Sequence, residues 1–239
     1  MPIRLNSVMR EFSDVDAMSG ALAERVQSAL VRGLATRDTA ALAVSGGSTP
    51  RRYFPRIAAC ELDWSRVGIT LVDDRWVDPG NPASNERLVR EYLLQNHAVR
   101  AKFIPLHNAA PTPYAGSAAS NAALATLAHP YDLVVMGMGD DGHIASLFPG
   151  SPELGAGLDL GTTVRCIGVM PPAYASPALP RISMTLRELL DARTVVLVLQ
   201  GASKHAALTQ ALAHGDPLRA PVCALAAHAD SRLEIFWAP

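Results

Sequence analysis

Four short segments bring together residue types that could do chemistry. The first is Ser45-Gly46-Gly47-Ser48-Thr49, followed by Pro50. Two glycines permit a tight turn and close backbone approach, and the small hydroxyl residues add donors. A helix starting at Pro50 would contribute free N–H groups and a positive dipole end, which completes a phosphate cradle. The GxxxxGK spacing of a Walker A loop is absent, and an ordinary strand-to-helix turn is the competing reading. The second segment is Asp73-Asp74-Arg75-Trp76-Val77. Two carboxylates beside a guanidinium at a strand end suit an anionic substrate, because Arg offers a planar fork to phosphate or carboxylate. A solvated surface ion pair would look the same in sequence.

The third segment is Gly137-Met138-Gly139-Asp140-Asp141-Gly142-His143. It contains a literal GxGxxG after an apolar run, so a dinucleotide site has to be weighed. Three features oppose it. The motif lies mid-chain, Asp140 and Asp141 would set negative charge beside a pyrophosphate, and Pro149 and Gly150 interrupt the helix that should follow. His143 is the better lead. An imidazole titrates near neutrality and suits general acid–base work. A lone histidine is more often structural, but this one is bracketed by glycines at a strand end. The fourth segment is Gly201-Ala202-Ser203-Lys204-His205. Lys204 is one of only two lysines, with Lys102, among 21 basic residues. A cation at a helix start opposes the dipole, which points to an anionic ligand; snorkelling into solvent is the alternative. His205 is a weaker candidate.

Other chemistries find no support in the spacing. The histidines at 97, 107, 129, 143, 205, 214 and 228 form no HxxxH or HExxH pair. Cys60, Cys166 and Cys223 form no CxxC, and no GxSxG elbow occurs. No metal and no organic cofactor is expected.

The elements that must position these segments alternate. Leu22, Val26, Ala29 and Leu30 predict a helix over 14–34, capped by Ser13 or Asp14. Further helices are expected over 84–95, 114–127, 186–192 and 201–213. Apolar runs predict strands over 40–44, 67–72, 103–106, 131–136, 164–169, 194–199 and 233–237. The proline-containing stretch 170–180 reads as a loop. Strands that are apolar throughout and alternate with helices indicate a mainly parallel sheet covered on both faces. With no linker or charge block, residues 1–239 read as one three-layer, Rossmann-like α/β domain. Ligands of such sheets bind beyond the carboxyl ends of the strands, where the four segments fall.

Composition excludes several classes. The chain has 239 residues, 49% hydrophobic and 18% charged, enough to bury a core without disulfides or metal. Its 21 basic and 22 acidic residues leave a net charge of −1, which excludes nucleic-acid binding by bulk charge. No apolar run is long enough to span a membrane. Residues 1–12 lack the apolar core of a secretory leader, and the cysteines are few and odd in number. A soluble, cytoplasmic protein is expected. Nothing in the sequence specifies an oligomeric state.

Together the segments resemble the 6-phosphogluconolactonase family. The run from Gly137 through His143 to Ile144-Ala145-Ser146-Leu147-Phe148-Pro149-Gly150 is similar to that family's most specific signature. Ser45-Gly46-Gly47-Ser48-Thr49-Pro50 is similar to its phosphate loop. Asp73-Asp74-Arg75, followed by Ser84-Asn85, resembles its Asp-Glu-Arg block and Ser-Asn pair. Arg181-Ile182-Ser183-Met184-Thr185 and the 201–204 turn also match, in order along nearly the whole chain. Asp74 departs from the usual Glu by one methylene, and the 170–180 loop is unlike the family pattern. Related deaminases continue the Asp-Gly-His turn with Asn-Glu-Pro, whereas this chain has Leu147-Phe148-Pro149, and Phe148 cannot move a proton.

The resemblance implies hydrolysis of 6-phospho-D-glucono-1,5-lactone to 6-phosphogluconate, the second step of the pentose phosphate pathway. It implies His143 as general base, with Asp141 or Asp73 orienting the imidazole. Ser45, Gly46, Gly47, Ser48, Thr49 and Lys204 would hold the phosphate, and Arg75 the phosphate or the developing oxyanion. A glucosamine-6-phosphate deaminase or isomerase is the alternative enzyme. A non-catalytic sugar-phosphate sensor is the alternative class, and it would need a DNA-binding module that the dozen or so residues before the first helix do not supply.

Overall fold

In the computed structural model, which describes residues 8–239, all five residues of strand β2 (Ala40–Val44) are buried. A strand buried on both faces needs cover on both, and its neighbours are accordingly parallel. β3 (Val67–Leu71) lies on one side, with β5 (Lys102–Ile104) beyond it. β6 (Leu133–Met136) lies on the other, succeeded outward by β9 (Val195–Gln200), β10 (Leu233–Ala238) and β1 (Met9–Glu11). The sheet order is β1-β10-β9-β6-β2-β3-β5, parallel at every pairing. The expected α/β architecture is the one that forms.

The helices arise from local chemistry. α1 (Val15–Thr36) buries Leu22, Val26, Ala29 and Leu30 as its spacing requires, and it packs on β2 and β10. Its cap is Asp14, whose Oδ1 accepts from Ala17 N at 2.8 Å. α2 (Pro50–Ala58) begins at Pro50, a residue preset for a first helical turn. α3 (Asn85–Tyr92) is capped by Ser84, and α4 (Pro113–Leu124) by Thr112. The single turns α5 (Leu154–Leu158) and α6 (Leu186–Leu190) precede α7 (Ala202–His214) and α8 (Val222–Ala229). No helix among the described residues is long and apolar enough to cross a membrane. Residues 1–7 of the stretch read for a leader lie outside the described residues.

The structure adds a second sheet. β4 (Asp73–Arg75), β8 (Arg181–Met184) and β7 (Cys166–Val169) pair antiparallel. The 164–169 run therefore does not join the parallel sheet. The 170–180 loop carries no crossover helix, and so it returns the chain beside β7 in the opposite direction. Other elements escaped the sequence too, among them β4 and the single turn α5, each too short to show a period. β1 is three mostly exposed residues with no pattern, β8 stood only as part of a motif, and α8 is apolar on every side, which erases its period.

One buried carboxylate ties the sheet together at the end of β6 opposite the loops. Asp132 is 2% exposed; its Oδ2 accepts from Ala41 N at 2.9 Å, and its Oδ1 from Arg37 Nη2 at 2.6 Å. It thereby joins β6 to β2 and to the end of α1. Removing it strands a buried N–H and a guanidinium. Asp132→Ala is expected to cost about 3 kcal/mol of stability, read as a lower urea midpoint, while inorganic phosphate binding by the remaining folded protein stays unchanged.

Candidate active site

β2 feeds β3 and β5 on one side, whereas β6 feeds β9 and β10 on the other. The loops leaving β2 and β6 therefore diverge, and a crevice opens between them at the carboxyl ends of the strands. Ser45 bridges the crevice floor: its N–H donates to Val135 O at 3.0 Å, and its Oγ accepts from Gly137 N at 3.2 Å. A cavity of about 470 Å³ sits there. Its lining includes the 45–49 loop, Asp73, Arg75, Asp141, His143, Tyr174 and Lys204. Segments far apart in sequence are thus brought to one place.

His143 and Asp141 form a tight pair, with Nδ1 2.6 Å from Asp141 Oδ1, and the His143 N–H also donates to that oxygen at 3.1 Å. Burial raises the Asp141 carboxyl, but hydrogen bonds from the ring, from that N–H and from Tyr174, with the ring's charge, hold it at about 2. Asp141 is therefore ionised at neutral pH and can only accept. That assigns the proton to Nδ1 and leaves the Nε2 lone pair for the cavity. Phe148 stacks against the imidazole with ring centroids 4.2 Å apart. Gly139 makes the pair possible: a Cβ there would lie 2.0 Å from His143 Nδ1 and 2.5 Å from Asp141 Oδ1. The GxGxxG thus has a reason unrelated to dinucleotides.

The 45–49 loop presents an anion cradle. The N–H groups of Gly46, Gly47, Ser48 and Thr49 donate to no protein acceptor among the described residues, and α2 starts immediately after. Gly46 is also a packing requirement, because a Cβ would fall 1.9 Å from Asn85 Oδ1. That same Asn85 oxygen accepts from Arg75 Nη1 at 3.0 Å, and Ala83 O accepts from it at 2.8 Å. Arg75 is held beside the loop in this way and forms no ion pair among the described residues. Its Nε is buried without a partner. Lys204 does have a counter-ion, Asp140 Oδ1 at 3.1 Å, through a carboxylate that is 76% exposed. Such a pair is weak and exchangeable.

The two neighbouring aspartates separate in role. Asp73 lines the cavity, but its Oδ2 accepts from Ser146 Oγ at 2.5 Å and lies 3.9 Å from Arg181 Nη1. The imidazole is held by Asp141, not by Asp73. Asp74 is fully buried behind the cavity and accepts from the N–H groups of Arg75, Asn85 and Glu86 at 2.7, 2.6 and 3.0 Å. Burial pushes its carboxyl up to about 7, against those three donors. The shorter Asp side chain still reaches the start of α3, and so positions Asn85 and Arg75. Sequence reasoning passed over Asn85, Ser146, Arg181 and Tyr174 as individuals; only the matched blocks around the first three offered a signal.

One grouping has metal-like composition: His129, Glu188 and Asp191, with ligand atoms within 4.8 Å of one another. Glu188 is already spent, accepting from Tyr131 OH at 2.9 Å and from Arg165 Nη1 at 2.8 Å. A dication there would have to displace a guanidinium.

Comparisons with known proteins give matches over nearly the whole chain. The family model described as glucosamine-6-phosphate isomerases/6-phosphogluconolactonase matches residues 13–237. The 6-phosphogluconolactonase of Rhizobium meliloti (strain 1021) is 44% identical over 98% of this chain and 100% of its own. That of Mesorhizobium japonicum is 42% identical over 95% and 94%. The crystal structure of a 6-phosphogluconolactonase from Shewanella baltica OS155 superposes with a TM-score of 0.93 at 38% identity, covering 97% of each chain.

The close approach at Gly139 generates a test. Gly139→Ala is expected to push the imidazole off Asp141 while the sheet stays folded. In proton NMR the low-field Nδ1 resonance of His143, present in the wild type, should be absent from the variant.

Proposed function

Because the chain belongs to the glucosamine-6-phosphate isomerase/6-phosphogluconolactonase family, we propose that it hydrolyses 6-phospho-D-glucono-1,5-lactone to 6-phosphogluconate, the second step of the pentose phosphate pathway. One observation carries the mechanism: an ionised Asp141 on Nδ1 of His143, with Nε2 left to a cavity that also holds an anion cradle.

Lactone hydrolysis needs a water made nucleophilic, a stabilised tetrahedral oxyanion and a proton for the leaving ring oxygen. His143 Nε2 takes the proton of the attacking water as its oxygen bonds to the lactone carbonyl carbon. Asp141 stabilises the imidazolium so formed. When the intermediate collapses, the carbon–ring-oxygen bond breaks and the imidazolium returns the proton to the departing alkoxide. Such a group supplies typically 10²–10⁴-fold, or about 3–5 kcal/mol of barrier.

The substrate phosphate rests on the Gly46-Gly47-Ser48-Thr49 N–H groups and on Lys204, which exchanges Asp140 for it. Arg75, fixed by Asn85, offers its remaining N–H groups to the phosphate or the oxyanion. Holding the remote phosphate orients the reacting carbonyl. The chemistry calls on no metal or organic cofactor, since the lactone is an activated ester. A cytoplasmic location suits the free thiols of Cys60, Cys166 and Cys223.

Phe148 argues against the deaminase reading. It occupies the position where the related deaminases carry an acid, and its ring packs directly on His143. A benzyl side chain there moves no proton.

Loss of freshly made lactone, measured against its spontaneous hydrolysis, tests the reaction. The wild type is expected to accelerate it, and His143→Ala to lose roughly 10²–10⁴-fold in kcat with product binding largely kept. Acceleration by both proteins would remove His143 from the role. Acceleration by neither, with ammonia released from glucosamine 6-phosphate, would replace the lactonase reading by the deaminase one. Lys204→Ala is expected to raise KM about ten-fold or more, as loss of a charged hydrogen bond does, and to lower kcat less. An unchanged KM would exclude the phosphate contact.

A further inference from the structure

Asp141 has a second oxygen, and the structure shows what holds it. The hydroxyl of Tyr174 lies 3.0 Å from Asp141 Oδ2 and 3.2 Å from Pro149 O. A phenol has one proton to give, and the ionised carboxylate is the stronger acceptor. Burial and the neighbouring carboxylate push the Tyr174 hydroxyl up to about 12, so it keeps that proton. From the geometry we infer that Tyr174 is a positioning residue for the reaction, the outer member of a Tyr174–Asp141–His143 chain. This rests on the lactonase reading of the site.

The placement makes the role specific. Asp141 Oδ1 accepts from the ring and backbone of His143, and Tyr174 on Oδ2 supplies the second anchor against rotation of the carboxylate about its own axis. Two anchored oxygens fix that plane, and the plane fixes the direction of the imidazole. Tyr174 is itself delivered by the 170–180 loop, whose Tyr174, Ala175 and Ser176 form one wall of the cavity. That loop carries Pro171, Pro172, Pro177 and Pro180, which restrict its backbone before any ligand arrives. It is turned by Ala175 N donating to Pro172 O at 2.9 Å and tied down by Arg181 Nη2 donating to Pro177 O at 3.0 Å and Trp76 N to Pro180 O at 2.7 Å. The loop thus works as a strap, with its tyrosine fastened to the carboxylate that holds His143. The ring is largely exposed, so a purely structural account of Tyr174 would predict little cost on losing its hydroxyl.

Tyr174→Phe and Tyr174→Ala separate the two accounts. A positioning hydroxyl predicts that both variants lose kcat about ten-fold, the cost of one hydrogen bond to a charged group, with KM of the phenylalanine variant within about two-fold. A mere wall predicts a wild-type Phe variant and an Ala variant raised in KM, which would overturn the proposal. The wild type in the same assay reports separately on the reaction itself. Should it not accelerate lactone loss, the lactonase reading falls, and the low-field Nδ1 proton of His143 still decides the chain. Tyr174→Phe is expected to shift or broaden that resonance, and an unmoved resonance would remove Tyr174 from the chain.

Discussion

The divergence of the chain at the carboxyl ends of β2 and β6 is the constraint on which the site depends. Both strands are buried on both faces, so neither can offer side chains to a ligand along its length. Chemistry is confined to the loops at their carboxyl ends. Because one strand feeds sheet neighbours on one side and the other on the opposite side, the loops part, and a ligand-sized space opens without any special cavity-forming device. The bond from Gly137 N to Ser45 Oγ links the 45–49 loop to the loop that carries His143, beside the bond from Ser45 N to Val135 O.

Around this crevice the polar side chains form three groups. Asp141 is hydrogen-bonded to the imidazole, and the Tyr174 hydroxyl donates to Asp141. Asp73 and Arg181 at the cavity wall form a buried cluster with Ser146, while Asp74 gathers the start of α3 and through Asn85 fixes Arg75. Adjacent residues in one short strand therefore face opposite duties, because successive side chains of a strand point to opposite sides. Asp73 meets the cavity, and Asp74 the helix behind it.

Two glycines of the site are explained by what lies against them, whereas Gly47 and Gly142 have a positive φ. Gly139 lets the Asp141–His143 pair close over its Cα, and Gly46 lets Asn85 approach the anion loop. A pattern that in sequence suggests a pyrophosphate turn is in three dimensions a seat for the hydrogen-bonded Asp141–His143 pair. The charges agree. Asp140 and Asp141, which would repel a pyrophosphate, are needed here, one as the exchangeable partner of Lys204 and the other as the partner of His143.

The sequence by itself pointed to a mainly parallel sheet, since apolar runs such as 40–44 and 131–136 call for cover on both faces. It also determined where chemistry collects, since turn-forming glycines and charged groups come directly after those runs. The lateral order of strands, and hence which loops share a crevice, was decided only by tertiary structure, because pairing is set by packing between distant segments. The same holds for the antiparallel sheet of β4, β8 and β7, where local β-propensity carries no direction, and for α8, whose uniform apolarity hides its helical period. The choice of Asp141 over Asp73 belongs to the tertiary structure as well. Both stand near turns in sequence, and only the folded chain places one at 2.6 Å from the imidazole and gives the other to Ser146. Tyr174 is the extreme case. It lies 33 residues from Asp141 in a loop without periodicity, and its hydroxyl acquires a partner only when the strap crosses the site.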